Sequence, residues 1–501
     1  MADAAALTPH PLLLQAMQEK SLLFTDHGEM KNYKQSFTGE KKNMNRYDAI
    51  IIGTGQAAPM LAIRLADAGY RVAVVERHLF YGTCVNTGCI PTKTMIASAR
   101  AAYLARHGAE YGVVIKGPVH MDMKKVKARK DAIVGTDNDQ IPKWMEDNPN
   151  MTVYKGHARF EDPRTVRIGE RLLTADRIFI NVGARAKIPP ITGLEEVNYL
   201  TNSSMMHVDF LPEHLVIIGG SYVGVEFAQM YRRFGSRVTL IQRSARLLKK
   251  EDHDVSEAIR DILESEGVHV RLNAECVSVQ AHEQGIAAHL ECADGDPEVI
   301  GSHLLLAAGR RPNNDDLGCE QAGLEVDEKG YIQVDDQLRT NVDGIWALGD
   351  CNGKGAFTHT SFDDGEIVAA NLLDNDPRKV SDRILTYAVF TDPPLGRIGM
   401  TENQVRQTGR PALIGKMPMT EVKRALAKGN TRGFMKVLVD AETRKILGAA
   451  ILGPEGDEIV HLITDIMYAG APFTVIQRAV HIHPTVSELI PTLLGQLEPL
   501  K

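Results

Sequence analysis

Two cysteines stand five positions apart in Gly82-Thr83-Cys84-Val85-Asn86-Thr87-Gly88-Cys89-Ile90-Pro91-Thr92-Lys93, with a lysine four residues beyond the second. Such a pair can serve disulfide redox chemistry, form a structural disulfide, ligate metal or remain as two buried thiols. On a regular α-helix, residues i and i+5 have Cα atoms roughly 8–9 Å apart, whereas a disulfide spans at most about 7 Å. A bonded pair therefore cannot share one regular helix. For that case the spacing predicts Cys84 in an approach loop and Cys89 at a helix start, with Gly82 and Gly88 supplying unusual backbone angles. There Cys89 would feel the positive end of the helix, which favours a thiolate. A second pair lies in His481-Ile482-His483-Pro484-Thr485-Val486-Ser487-Glu488. A carboxylate at Glu488 can set the tautomer of His483 and hold the ring as a general base. Taken alone, an ordinary surface or core histidine is the simpler reading.

Composition bounds where such chemistry operates. The chain has 501 residues, 44% hydrophobic and 24% charged, as in ordinary globular proteins, and is long enough for several domains. A net charge of −7 leaves no footprint for nucleic acid or an anionic membrane surface. No apolar run reaches the roughly 20 residues of a membrane span. Cys276, Cys292, Cys319 and Cys351 are scattered and read as core thiols, so the chain is not a disulfide scaffold. A cysteine-poor chain with one close pair suits the cytoplasm. Residues 1–45 read as a flexible or loosely docked arm; an acidic start without a basic region argues against a signal peptide.

The elements around the cysteines are more telling. Tyr47–Ile52 is an apolar run of strand length, followed by Gly53-Thr54-Gly55-Gln56-Ala57-Ala58, a helical stretch to about Gly69, and a strand Arg71–Glu76. Strand, Gly-x-Gly-x-x-Ala turn, helix, strand and acid form a dinucleotide site. Gly53 and Gly55 admit a pyrophosphate to the helix N-terminus, and Glu76 takes a ribose. Cys84 follows Glu76 by eight residues, near enough to lie beside that cofactor. Gly156-His157-Ala158 and Asn181-Val182-Gly183 are further points where backbone can approach it.

A second unit begins at Leu215–Ile218 and continues through Gly219-Gly220-Ser221-Tyr222-Val223-Gly224, a helix with Glu226 in its first turn, and a strand Arg237–Ile241. Two units imply two cofactors. Gln242 and Arg243 stand where an acid would bind a 2′-hydroxyl, with Arg246, Lys249 and Lys250 close behind; these suit a 2′-phosphate and predict NADP. Ser221, in place of a middle glycine, limits how closely the pyrophosphate approaches. Leu304–Asn313, containing Gly309, closes this unit. Ile345-Trp346-Ala347-Leu348-Gly349-Asp350 reads as a buried strand ending in an acid, with a helical region Ala356–Leu373 after it. From about Ser381 no nucleotide motif follows.

In this order, over about residues 46–495, the motifs closely resemble the class I pyridine nucleotide–disulfide oxidoreductases, the group of glutathione reductase, dihydrolipoamide dehydrogenase and mercuric reductase. The resemblance implies an α/β fold with two Rossmann-like nucleotide-binding domains and a C-terminal α+β dimerisation domain. The FAD-binding part would occupy 46–196 and 312–380, split by an NAD(P)H-binding insert at 197–311, with the interface domain at 381–501. FAD would be held by Gly53, Gly55, Glu76, Thr83, Lys93, Gly156, Gly349, Asp350 and the segment Ala356–His359. NADP would be held by Gly219, Ser221, Tyr222, Gly224, Glu226, Arg243, Lys249 and Gly309, with Tyr222 as a gate over the nicotinamide pocket. Lys93 and Glu226 match a pair near flavin N5. Cys84 matches the substrate-facing interchange thiol and Cys89 the flavin-facing thiolate. His483 and Glu488 match a base dyad given across a two-fold homodimer.

The activity so implied is a hydride relay from NADPH through FAD to a Cys84–Cys89 disulfide and on to a small-molecule disulfide or similar acceptor. Thr87, Thr92 and Thr94-Met95-Ile96 resemble the mercuric reductase-like branch. Mercuric reductases, however, carry a C-terminal cysteine pair and a tyrosine where His483 stands, and Leu493–Lys501 holds no cysteine. Reduction of Hg(II) or Cu(II) is thus an alternative, as is a low-turnover flavin redox sensor or complex subunit. No resident metal is expected.

Overall fold

The computed structural model describes residues 44–501, apart from the side chains of residues 44 and 136–142. Residues 1–43, nearly all of the expected arm, lie outside the described residues. The last two arm positions already belong to a strand, Met44–Ile52, because Met44 and Asn45 pair with Leu172 and Leu173.

The first sheet has seven strands. Met151–Lys155, Val72–Glu76, Met44–Ile52 and Arg171–Ile180 run parallel side by side, Ile345–Ala347 lies parallel to the last of these, and Thr165–Ile168 and Ala158–Asp162 add an antiparallel edge. Val72–Glu76 is buried at every residue, as a strand covered on both faces requires. Helix α1 (Ala58–Asp67) buries Ala58, Leu61, Ala62 and Leu65, the i, i+3, i+4, i+7 stripe of a helix laid on a core. Ile52 pairs with Val75, so the glycine turn after one strand and the acid ending the next emerge together.

Two helices follow in the cysteine stretch, α2 (Gly82–Asn86) and α3 (Cys89–Arg106). The second sheet is parallel throughout, ordered His269–Arg271, Arg237–Ile241, His214–Ile218, His303–Leu306, Tyr199–Thr201. Helix α4 (Tyr222–Phe234) packs against it. A three-stranded antiparallel sheet, Ala274–His282, Gly285–Cys292 and Glu298–Gly301, flanks it. Helix α5 (Thr358–Ala369) lies close against α1. The C-terminal region is a six-stranded antiparallel sheet from Thr386 to Pro499, with α6 (Gly456–Tyr468) packed on it.

Two polar seams tie the C-terminal region to the rest. On α4, Glu226, Gln229 and Arg233 share one face by their spacing and grip the segment Phe390–Asp392. Glu226 Oε1 accepts from Phe390 N–H at 3.0 Å. The Gln229 amide both donates to Asp392 O at 2.9 Å and accepts from Asp392 N–H at 2.8 Å. Arg233 pairs with Asp392 Oδ2 at 2.6 Å and Glu266 Oε1 at 2.7 Å. In the second seam, buried Lys436 reaches Asp252 at 2.9 Å, Asp254 at 2.8 Å and Glu402 at 3.3 Å, while buried Arg397 lies 3.3 Å from Asp252.

Candidate active site

The two cysteines occupy separate helical pieces. Cys84 lies within short α2, not in the loop expected, while Cys89 is the first residue of α3. The backbone explains the difference. Gly82 has φ +61°, and Asn86 Nδ2 donates to Phe80 O at 2.7 Å and Gly82 O at 2.8 Å, closing a helical turn around Cys84. Gly88 breaks the two pieces apart with φ −126° and ψ −112°. It is required for closeness rather than for a left-handed φ: a Cβ there would stand 2.8 Å from Thr83 O.

This break brings both sulfurs to one hydroxyl. Thr358 Oγ1, at the start of α5, donates to Cys84 Sγ at 2.9 Å and lies 3.2 Å from Cys89 Sγ. The Cys84 thiol hydrogen-bonds to Cys89, which with Thr358 and the Lys93 charge overcomes burial and lowers the Cys89 pKa to about 6. The same hydrogen bond, reinforced by burial, pushes Cys84 the other way. Negative charge is thus favoured on Cys89 over Cys84, and the helix start at Cys89 adds to that preference. Lys93, one turn into α3, pairs with Glu226 Oε2 at 2.9 Å, and its ammonium sits 4.3 Å from the centroid of Phe390.

The cysteines line one end of a cavity of about 970 Å³, at the upper end of the roughly 300–1,000 Å³ usual for ligand pockets. Gly53, Gly55, Glu76, Thr83, Lys93, Gly156, Tyr222, Glu226, Asp350, Ala356 and His359 line the same cavity. The walls fit an elongated dinucleotide. The turn at Gly53, φ +89°, presses on the neighbouring strand end, so that a Cβ would stand 2.5 Å from Asn181 O. Buried Asn181 donates from Nδ2 to Leu348 O at 2.8 Å and leaves Oδ1 on the cavity side without a partner. Glu76 is buried, not a solvated strand end. It accepts from Thr54 N–H at 2.9 Å, Thr54 Oγ1 at 2.7 Å and His78 N–H at 2.8 Å, which fixes the carboxylate at the cavity wall. Asp350 stands 3.4 Å from Arg310 Nε, and burial raises its pKa. Gly349 lies off this wall, with φ +73° and its N–H given to Asp364 Oδ2 at 2.7 Å.

The unit of the second glycine turn reaches the cavity through Tyr222, Val223, Glu226 and Phe227 at the start of α4. Gly219 has φ +113°, and a side chain there would run into Ala307 O; one at Gly224 would run into Gly219 O. Gln242 Oε1 takes the Gly220 N–H at 2.9 Å. Ser221, Arg243 and Lys249 are exposed, Arg243 loosely paired with Glu275 at 3.8 Å; Gly309 has φ +114° with open space beside it. His483 and Glu488 do form a dyad, Nδ1 lying 2.9 Å from Oε2. That imidazole is 75% exposed and is not on the cavity wall of its own chain. Thr358 as a side chain, Phe390 and Arg310 are site residues that the motif reading did not single out, and it reached Asn181 only as a point of backbone approach, not through its side chain. Each meets its partners across long sequence separations that leave no local pattern.

The chain belongs to the pyridine nucleotide-disulphide oxidoreductase family, whose model matches residues 47–365 and whose dimerisation-domain model matches residues 385–494. It is accordingly an oxidoreductase of a class that acts on sulfur groups and uses FAD and NAD(P)H. It is 36% identical over 460 residues to the probable pyridine nucleotide-disulfide oxidoreductase RclA of Escherichia coli (strain K12), covering 90% of this chain and 99% of that one. A mercuric reductase of Streptomyces lividans is 34% identical over 449 residues, covering 89% and 94%. Among solved structures, the Cu(II) complex of the HOCl-induced flavoprotein disulfide reductase RclA superposes with a TM-score of 0.82 at 36% identity, covering 89% of this chain and 99% of that one. No helix among the described residues is long and apolar enough to cross a membrane.

Proposed function

We propose that the chain is an NADPH-dependent disulfide reductase of the cytoplasm, with Cys84 and Cys89 as its redox pair. The observation that carries this reading is the placement of the pair: both sulfurs reach Thr358 Oγ1, at 2.9 and 3.2 Å, Cys89 opens a helix whose Lys93 is paired with Glu226, and both cysteines line a dinucleotide-sized cavity. Gly53, Gly55, Glu76, Gly156 and Asp350 would hold FAD. The chemistry it supplies when bound is two-electron transfer between a nicotinamide hydride and a disulfide. Arg243 and Lys249 bind the 2′-phosphate of NADPH, and Tyr222 covers the nicotinamide position. Lys93, fixed by Glu226 and the Phe390 ring, holds positive charge next to the Cys89 sulfur. Cys84 attacks the acceptor disulfide once its proton has been taken. His483 takes it, with Glu488 setting the ring, and reaches the site from the partner subunit of a homodimer. Fully exposed Val480 and Ile482, 79% exposed, shortly precede that histidine and would be covered in the dimer.

A second reading, reduction of a soft metal ion such as Cu(II) or Hg(II) by the same thiols, draws on the mercuric reductase relative and the Cu(II) complex named above. Anaerobic NADPH oxidation against a panel of low-molecular-weight disulfides and metal ions tests both. Turnover with disulfides alone favours the first reading and turnover with metal ions alone the second. No NADPH-dependent appearance of two thiols at Cys84 and Cys89 rejects the redox pair altogether.

A further inference from the structure

We propose that Thr358 is a further catalytic residue, a hydroxyl shared by the two sulfurs that turns to whichever of Cys84 and Cys89 bears the negative charge. This rests on the redox role proposed for that pair. Thr358 Oγ1 lies 2.9 Å from Cys84 Sγ and 3.2 Å from Cys89 Sγ. It carries one proton, and rotation about the Cβ–Oγ1 bond redirects that proton without moving a heavy atom. Among the described residues no other side chain outside the pair donates a hydrogen bond to either sulfur. Lys93 acts on both as a charge.

The backbone carrying this hydroxyl is anchored independently of the cysteines. Phe357, the preceding residue, stacks between Tyr387 and His359, each with centroids 5.3 Å away and planes within 8°. Its N–H donates to Thr360 Oγ1 at 3.2 Å. The sulfurs can therefore exchange bonds while the donor stays in place.

The chemistry requires two different anions in turn. The Cys84 thiolate attacks an acceptor R–S–S–R, forming Cys84–S–S–R, breaking the acceptor's S–S bond and releasing RS⁻. The Cys89 thiolate then attacks the Cys84 sulfur, forming the Cys84–Cys89 bond and releasing the second RS⁻. Two electrons pass from the pair to the acceptor. One RS⁻ takes the proton that began on Cys84 and the other takes one from solvent. A donor fixed on one sulfur would favour one anion and resist the other. A donor within reach of both serves each step.

Iodoacetamide alkylation rates against pH, measured on the flavin-loaded protein in Cys84→Ala and Cys89→Ala backgrounds, report each remaining thiol separately and without turnover. Hydrogen bonds to charged groups are strong enough to move such a titration by about one pH unit. Thr358→Val is therefore expected to lower the thiolate fraction of each cysteine about tenfold below its midpoint, and Thr358→Ser to restore both. Thr358→Ala, which removes the hydroxyl without a new branch, gives the same readout if the valine variant loses its flavin. A shift in one background only, or in neither, overturns the shared-donor role while leaving the redox pair intact. Absence of NADPH-driven thiol formation in the unsubstituted protein would instead remove the role on which both proposals stand.

Discussion

At the scale of single residues, Cys89 and Cys84 have the same side chain and opposite character. Cys89 receives a hydrogen bond from its neighbour and stands beside Lys93, so its pKa falls to about 6; Cys84 supplies that hydrogen bond and is raised. The sign of the pH dependence follows. A thiol whose pKa is lowered is ionised above that value and protonates as pH falls through it. The long-wavelength thiolate–flavin absorbance of the NADPH-reduced protein should persist at neutral pH and fade with a midpoint near 6 in an anaerobic titration. A midpoint near the ordinary thiol value of about 8.5 would contradict the polarised pair. The cysteine spacing, both glycine turns and Glu76 were legible in the sequence because each signal lies within a short local span. Lys93 and Glu226, 133 positions apart, were reached only through the family resemblance. Thr358, 274 and 269 positions from the two sulfurs, gave no sign as a side chain.

At the scale of elements, α4 does two tasks with its two ends. Its first turn closes the second glycine turn, and its inward face holds the segment that places the Phe390 ring under Lys93. Arg233, 4% exposed between Glu266 and Asp392, is the strongest point of that grip. Arg233→Met leaves Asp392 with only Arg100, at 4.0 Å, while Glu266 keeps Arg432 at 2.8 Å, and should cost about 3 kcal/mol, read as a lower urea midpoint. A loss below about 1 kcal/mol would place the pair in the weak class of surface bridges. The loop after Arg237–Ile241, proposed above to bind the 2′-phosphate, gives a test of coenzyme choice instead of stability. Because Arg243 and Lys249 are exposed, the double substitution Arg243→Ala, Lys249→Ala should leave the melting temperature unchanged. It should raise KM for NADPH about tenfold, equivalent to about 1.4 kcal/mol, and leave KM for NADH unaffected. Equal changes for the two coenzymes would reject 2′-phosphate recognition there. Sequence reasoning could exclude one continuous helix only for a bonded pair, and it could not foresee that Asn86 would wind Cys84 into a helical turn of its own.

At the scale of the molecule, the proposed base stands apart from the proposed redox pair. His483 and Glu488 form their dyad within a single protomer, yet the dyad is solvent-facing and off the cavity wall. If the histidine serves the partner's cysteines, Cys84→Ser and His483→Ala subunits should complement each other. A mixed dimer then holds one doubly defective site and one intact site, while each parent dimer lacks a working one. Disulfide reductase activity appearing on subunit exchange, at about half the unsubstituted rate per heterodimer, is the expected result. No gain over the parents would mean that the histidine acts within its own chain or not at all. The parent His483→Ala dimer should lose about 10²–10⁴-fold in the disulfide half-reaction, the usual scale for a general base. Its flavin reduction by NADPH should be spared.

The seam around Lys436 and Arg397 carries a consequence for gene shuffling. Asp252 and Asp254 come from the middle of the chain, whereas the two buried cations come from its last quarter. A hybrid taking its C-terminal region from a relative with apolar residues at those two positions would enclose Asp252 without a counterion. Crossovers near residue 380 should thus yield folded hybrids only when donor and recipient carry matching charges on both sides of the cut, whatever their overall identity.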